Sequence, residues 1–148
     1  FTVYGPWGRP DMALFLFTKS IIANLPIKVF NNGDLYRDFT YIDDIVEGIK
    51  RVLDLTHSNE NNVSNGVNYK VYNIGNSTPI RLLDFIKALE TSLEKESIKE
   101  FLPMQPGDVY RTEADVSELV KDTGYRPSTT VIDGVVKFVE WYNKYYFK

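Results

Sequence analysis

Cysteine is absent from the 148 residues, and histidine occurs once, at His57. Disulfides, thiolate zinc sites and cysteine nucleophiles are excluded together, and histidine-based metal chemistry has too few ligands. No apolar run approaches the roughly 18 residues of a membrane-spanning helix, and the start lacks a signal-peptide layout. An excess of positive charge is missing too. The net charge is −3, so nucleic acid or polyphosphate held by bulk electrostatics is not the expected partner. Any phosphate recognised here must be gripped by a few placed arginines. The expectation is a cytoplasmic protein with no membrane, nucleic-acid or metal partner.

What is present suits one domain with a real core, since 43% of the residues are hydrophobic and 25% charged. Phe1 to Tyr4 reads as a strand, followed by a Gly/Pro-rich loop from Gly5 to Pro10. Ala13, Leu14, Phe17, Ile21 and Leu25 recur at helical spacing and predict a helix over 12–24, stopped by Pro26. Ile27 to Phe30, the turn Asn31-Asn32-Gly33-Asp34 and Tyr36 to Thr40 read as two strands of a hairpin. Thr40 and Asp43 form a capping-box pattern before a helix with Ile45, Val46, Ile49, Val52 and Leu53 on one face. The Asn-rich stretch 57–66 reads as an exposed loop, with His57 solvated in it. Val71, Tyr72 and Ile74 predict a buried strand.

Further along, Leu82, Phe85, Ile86 and Leu89 mark a third helix, 98–102 a short strand and 103–108 a special loop. Asp115 with Glu118 opens a short helix ending at Gly124. Thr130 with Asp133 caps the last helix, carrying Val135, Phe138, Val139 and Tyr142. Its aromatic end, Trp141, Tyr142, Tyr145 and Tyr146, reads as core and tail packing. The pattern is mixed α/β. It lacks the regular strand–helix alternation of a complete dinucleotide-binding sheet, and so reads as a smaller lobe that packs on something else.

Three stretches can carry chemistry. In NNGDLYRDFTYIDD, alternation puts Tyr36, Asp38 and Thr40 on one face and Arg37, Phe39 and Tyr41 on the other. Arg37 then emerges beside aromatic rings, where a guanidinium can grip a phosphate. A surface ion pair with Asp34 or Asp38 is the plainer alternative. In GPWGRPDMA, Gly5 and Gly8 permit a tight loop, stiffened by Trp7 and Pro10, that can hold Arg9 ready for an anion, or can simply connect strand to helix. In MQPGDV, Gln105 and Asp108 flank a Pro-Gly turn. Asp108 can accept from the hydroxyls of a ribose, or merely close a turn on its own backbone.

Taken together and in order, TVYGPWGRPDMA, VFNNGDLYRDFTYIDDIVEGI, YNIGNSTPIRLLDFI and MQPGDV resemble UDP-glucuronate 4-epimerases. These are extended short-chain dehydrogenase/reductases of the NAD-dependent epimerase/dehydratase family. RDFTYIDD indicates the broad sugar-nucleotide family, and GPWGRPDMA its uronate branch. The resemblance implies that residues 1–148 form the C-terminal, substrate-binding α/β lobe, with the Rossmann core largely missing. That would explain a chain that starts inside a strand. None of the nine glycines lies in a Gly-x-x-Gly-x-x-Gly turn, and none of the ten tyrosines has lysine four residues on. The NAD site and the Tyr/Lys pair of the family are therefore not in these residues.

By motif position, Arg37 resembles the family's diphosphate-binding arginine and Asp108 the carboxylate that meets the uridine ribose. Phe30 lies in the region that lines the uracil. Gln105 stands where many relatives have arginine. Thr2 and Arg9 resemble residues at the sugar-carboxylate end. No catalytic residue is expected here. The implied partners are a UDP-sugar, UDP-glucuronate or a related one, and the chain's own N-terminal Rossmann domain. NAD and a homodimer belong to the full-length enzyme, and no cofactor is expected on this piece. The alternatives are a non-catalytic UDP-sugar-binding module, an epimerase or dehydratase of another nucleotide sugar, and a structural fragment that binds nothing. An apolar face left exposed is also expected.

Overall fold

The computed structural model describes residues 2–58 and 70–147. Its largest core lies where two helices meet a pair of parallel strands. Strand β1 (Thr2–Tyr4) pairs in parallel with β4 (Phe39–Tyr41), Val3 opposite Thr40. Helix α3 (Leu82–Leu93) packs on α5 (Val131–Tyr146). Phe85, Ile86 and Leu89 point inward from the first, and Val135, Phe138 and Val139 from the second. That is the helical spacing read from the sequence, and each such side chain contributes roughly 1.5–3 kcal/mol of burial. The Phe39 and Phe85 rings stack at 4.2 Å, joining sheet to helix. Gly134 lets α5 close on β1: a Cβ there would lie 2.0 Å from the Tyr4 hydroxyl. That hydroxyl instead donates to the Thr130 carbonyl.

Helix α1 (Ala13–Ile22) buries Leu14, Phe17 and Ile21 as its periodicity requires. It ends before Pro26 comes into play, because Asn24 turns left-handed at φ 56. The hairpin expected next does not form. Strand β2 (Ile27–Val29) runs into a 3₁₀ turn at Phe30–Gly33, in which Asn31 and Asn32 take positive φ. That turn carries the chain away, so β2 finds its partner in the distant β6 (Lys99–Phe101), in parallel. The returning strand splits into β3 (Tyr36–Arg37) and β4. β3 pairs antiparallel with β5 (Ile80–Arg81).

Helix α2 (Ile42–Ser58) starts directly after β4. The Thr40 hydroxyl does not serve the predicted capping box; it accepts from the Asn76 amide. α2 also turns an unexpected side inward. Asp44 and Gly48 are buried, while Val46, Ile49 and Leu53 are about half exposed (56%, 48% and 55%). The backbone of His57 still belongs to α2, so the loop expected at 57–66 does not begin there. The His57 side chain and residues 59–69 lie outside the described residues. The strand expected at 71–74 is absent. Residues 70–76 run as irregular chain with Val71 exposed, tied by side chains to α4 (Ser117–Thr123) and the segment before it. Tyr72 donates to Asp122, and Asn73 to the Asp115 carbonyl.

A second, smaller core of Ala114, Val116 and Leu119 sits between α2 and α4. Gly124 ends α4 at φ 67, and Thr130 caps α5 by accepting from the Asp133 amide, both as read. No helix among the described residues is long and apolar enough to cross a membrane.

Candidate functional site

Residues 110–112 run beside β3. The Tyr36 amide donates to the Tyr110 carbonyl at 2.9 Å, and the Thr112 amide to the Tyr36 carbonyl at 3.2 Å. This pairing, unreadable from local pattern, delivers the Gln105–Asp108 turn to the side of Arg37. Gly107 takes φ 82 in that turn, and the Asp108 amide closes it on the Gln105 carbonyl at 3.1 Å.

Arg37 and Asp108, read separately as ligand groups, meet. Arg37 Nη2 donates to Asp108 Oδ1 at 2.6 Å. Arg37 Nη1 donates to the carbonyls of Tyr36 and Tyr110 at 2.9 and 3.3 Å. Asp108 Oδ1 also accepts from the Val109 amide at 2.8 Å. The two side chains are 17% and 31% exposed, dry enough for direction to matter and open enough for a ligand to reach them. The ion pair is not the Asp34 or Asp38 contact considered from the sequence.

Asp38, next along the strand, points the other way and is fully buried. Its Oδ1 accepts from the Asn76 amide at 3.1 Å; its Oδ2 accepts from Ser77 and Ala114 at 3.0 and 2.8 Å. Gly75 allows this closeness: a Cβ there would meet the Ala114 Cβ at 2.3 Å. Asp38 therefore fastens two loops beneath Arg37. Sequence reasoning placed its face but missed this role. The available signal was a charged residue at an inward strand position followed by the aromatic-rich stretch Phe39–Tyr41.

A cleft of about 580 Å³ opens over this floor. That lies within the roughly 300–1,000 Å³ of small-molecule sites. Thr2, Phe30, Arg37, Gln105 and Asp108 line it, with an apolar bed that includes Leu16, Phe17, Leu35 and Leu82. Sequence reasoning missed two charged lining residues, Lys28 and Asp11. Nothing in the local pattern distinguishes Lys28, an alternating polar residue on β2, from a solvated one. None of the described residues lining the cleft is tyrosine, histidine or cysteine. The arrangement can hold an oxyanion, hydroxyl groups and an apolar surface.

Arg9 is the assigned residue that the cleft does not include. Its guanidinium bonds Asp11 through Nε at 3.1 Å, and both side chains are exposed. That bond holds the Asp11 carboxyl below its ordinary value. Arg9 lines a second cavity of about 40 Å³ beneath the Gly5–Pro10 loop, which shares Thr2 with the main cleft. Trp7 braces the loop against the far end of α5, its ring 5.1 Å from Trp141 and 4.9 Å from Tyr145.

The sequence model of the NAD dependent epimerase/dehydratase family matches residues 1–75. The chain is 50% identical to Protein CapI of Staphylococcus aureus, covering all of this chain and 47% of that protein. It is 44% identical to a probable UDP-glucuronate 4-epimerase of Rhizobium meliloti, over 99% of this chain and 46% of the relative. Its fold resembles the solved UDP-glucuronic acid 4-epimerase of Bacillus cereus in complex with UDP-glucuronic acid and NAD. The TM-score is 0.83 at 34% identity, over 99% of this chain and 44% of that one. The chain thus spans just under half the length of these three proteins.

Proposed function

As the chain belongs to the NAD dependent epimerase/dehydratase family, we propose that it is the nucleotide-gripping lobe of a UDP-glucuronate 4-epimerase. The observation that carries this reading is convergence. Five of the six residues assigned by motif come from three separate stretches of sequence and line one cleft. The relatives whose names include UDP-glucuronate 4-epimerase, and the solved complex with UDP-glucuronic acid, support the substrate class.

In this reading Arg37 donates to the diphosphate and Asp108 accepts from the uridine ribose. Phe30 lines the uracil, and Gln105 meets phosphate or ribose. Thr2 and Arg9 stand at the sugar end, Arg9 from the loop over the small cavity that shares Thr2. NAD does not fit the residues present: no three-glycine phosphate turn occurs among them. The same reading puts the NAD site and the Tyr/Lys pair on a Rossmann lobe of the full-length enzyme, a cytoplasmic homodimer. Hydride and proton transfer then belong to that lobe. What the present lobe does is hold the nucleotide by its two directional contacts and leave the sugar free to turn. An exchange of faces at C4 requires that freedom.

The test is titration of the chain with UDP by calorimetry and by amide chemical shifts. UDP is expected to bind weakly, in the millimolar range, with shifts at Arg37 and Asp108. Arg37→Gln should weaken it by at least about tenfold, the size of one lost charge-assisted contact. A titration without heat or shifts, or an Arg37→Gln variant that binds as the native chain does, would overturn the reading.

A further inference from the structure

Arg37 and Asp108, both ligand groups in the proposed function, are bonded to each other in the structure. We propose, resting on that reading, that this ion pair is a selectivity gate. Asp108 makes the site reject bare phosphate or pyrophosphate and accept a diphosphate only when it carries a ribose.

Four ionisable residues line the cleft, Asp11, Lys28, Arg37 and Asp108; Asp11 is held by Arg9 and Asp108 by Arg37. At Arg37 an inorganic anion meets a carboxylate already in place, Arg37 Nη2 to Asp108 Oδ1 at 2.6 Å. To take that guanidinium, the anion must either displace Asp108 or sit beside it. Displacement gives up a half-buried ion pair together with the Val109 amide bond to the same oxygen. Sitting beside it places like charges a few ångströms apart. Either course is unfavourable, since like charges brought together repel.

A nucleoside diphosphate meets the same carboxylate but offsets the repulsion. Its ribose brings hydroxyl donors to the carboxylate. Both bonds that Asp108 makes fall on Oδ1, so Oδ2 can accept the hydroxyls while the ion pair stays intact. The negative charge that repels a bare anion becomes a hydrogen-bond acceptor for the right one. The guanidinium Nε and its second Nη2 hydrogen then serve a phosphate oxygen alongside Asp108. Discrimination of this kind comes from a built-in repulsive element, not only from an attractive one. In a cell where inorganic phosphate is abundant, such a gate keeps the site open for its nucleotide.

The experiment compares the native chain with Asp108→Asn, titrated separately with inorganic pyrophosphate and with UDP at constant ionic strength. Asparagine keeps an acceptor for the Val109 amide and removes the charge; amide spectra establish that the fold is retained. The native chain should prefer UDP. The variant should bind pyrophosphate about tenfold more tightly than the native chain does and UDP about tenfold more weakly, so the preference collapses. If pyrophosphate binds the variant no better than the native chain while both still bind UDP, the gate is refuted and the nucleotide reading stands. If the native chain takes pyrophosphate as readily as UDP, the gate is refuted as well. If neither protein binds UDP, the nucleotide reading itself falls, and the gate with it.

Discussion

Two arginines drew attention in the sequence, and the fold treats them differently. Arg37 bonds the carbonyl of adjacent Tyr36, but its other partners, Asp108 and Tyr110, lie more than 70 residues away. Arg9 is held by Asp11, two residues on, with the side chain 74% exposed. The floor of the cleft around Arg37 is thus a product of the whole fold, and the loop around Arg9 is largely a product of itself. A rigid floor suits the part of a ligand that must not move, and a locally held loop suits the part that must turn. The difference predicts where substitutions propagate and where they stay local.

The strongest way to break the Arg37 side is to leave Arg37 alone and change its neighbour. Asp38→Ala removes the acceptors of three backbone amides, those of Asn76, Ser77 and Ala114. Thr40 can still take Asn76. Two donors are stranded, the buried Ala114 amide and the partly buried Ser77 amide, each at about 1–3 kcal/mol, so a loss of about 3 kcal/mol is expected in urea unfolding. Arg9→Gln, on the exposed side of the comparison, should leave the urea midpoint where it is. An Asp38→Ala variant as stable as the native chain would mean that the two loops hold together without the carboxylate.

A gentler probe is acid. β6 leads into the Asp108 turn and is anchored by Glu90, a buried carboxylate on α3. Burial pushes the Glu90 carboxyl up. Hydrogen bonds from Lys99 and from the Ser97 hydroxyl and amide outweigh it and pull it down to about 2. A group lower in the folded chain than in the unfolded one stabilises above the unfolded value. That contribution fades as pH falls from about 4.5 towards about 2. After allowance for solvent screening the expected loss is about 1–2 kcal/mol. Glu90→Gln should flatten the stability profile over that interval. Hydrogen exchange should show β6 loosening in acid before α5 does. A profile equally steep in both proteins would move the cause elsewhere.

How far the sequence reaches follows from the range of each interaction. Helical periodicity is local, so the buried faces of α1, α3 and α5 and the caps at Thr130 and Gly124 were readable. Partners of short strands are not local. The Asn31–Gly33 turn invites a hairpin, and only the whole chain reveals that β2 pairs 72 residues away with β6. Periodicity also says that α2 has an apolar stripe without saying what covers it, and Val46, Ile49 and Leu53 turn outward. At the site, the motifs supplied Arg37 and Asp108 one by one. Their meeting depends on residues 110–112 lying along β3, which no window of sequence contains. Asp38 was legible as a face and not as a hub, because its three donors sit on two distant loops.

The finest test concerns the backbone of the Arg9 loop. Trp7 sits at φ 61, a left-handed conformation that costs a side-chain-bearing residue about 1–2 kcal/mol and glycine almost nothing. Its ring recovers part of that cost by meeting Trp141 and Tyr145 edge-on, at about 0.5–1.5 kcal/mol for such a pair. With the ring 71% exposed, the lower end applies. Trp7→Ala keeps the backbone cost and loses the ring contacts; Trp7→Gly loses the contacts and is relieved of the backbone cost. The glycine variant should therefore be the more stable of the two, by about 1 kcal/mol, and close to the native chain. Both should lose the near-ultraviolet circular dichroism that two indoles in contact produce. Equal stabilities for the two variants would mean that residue 7 does not hold the left-handed turn in solution. The loop beneath Arg9 would then be set by the aromatic end of α5 rather than by its own backbone.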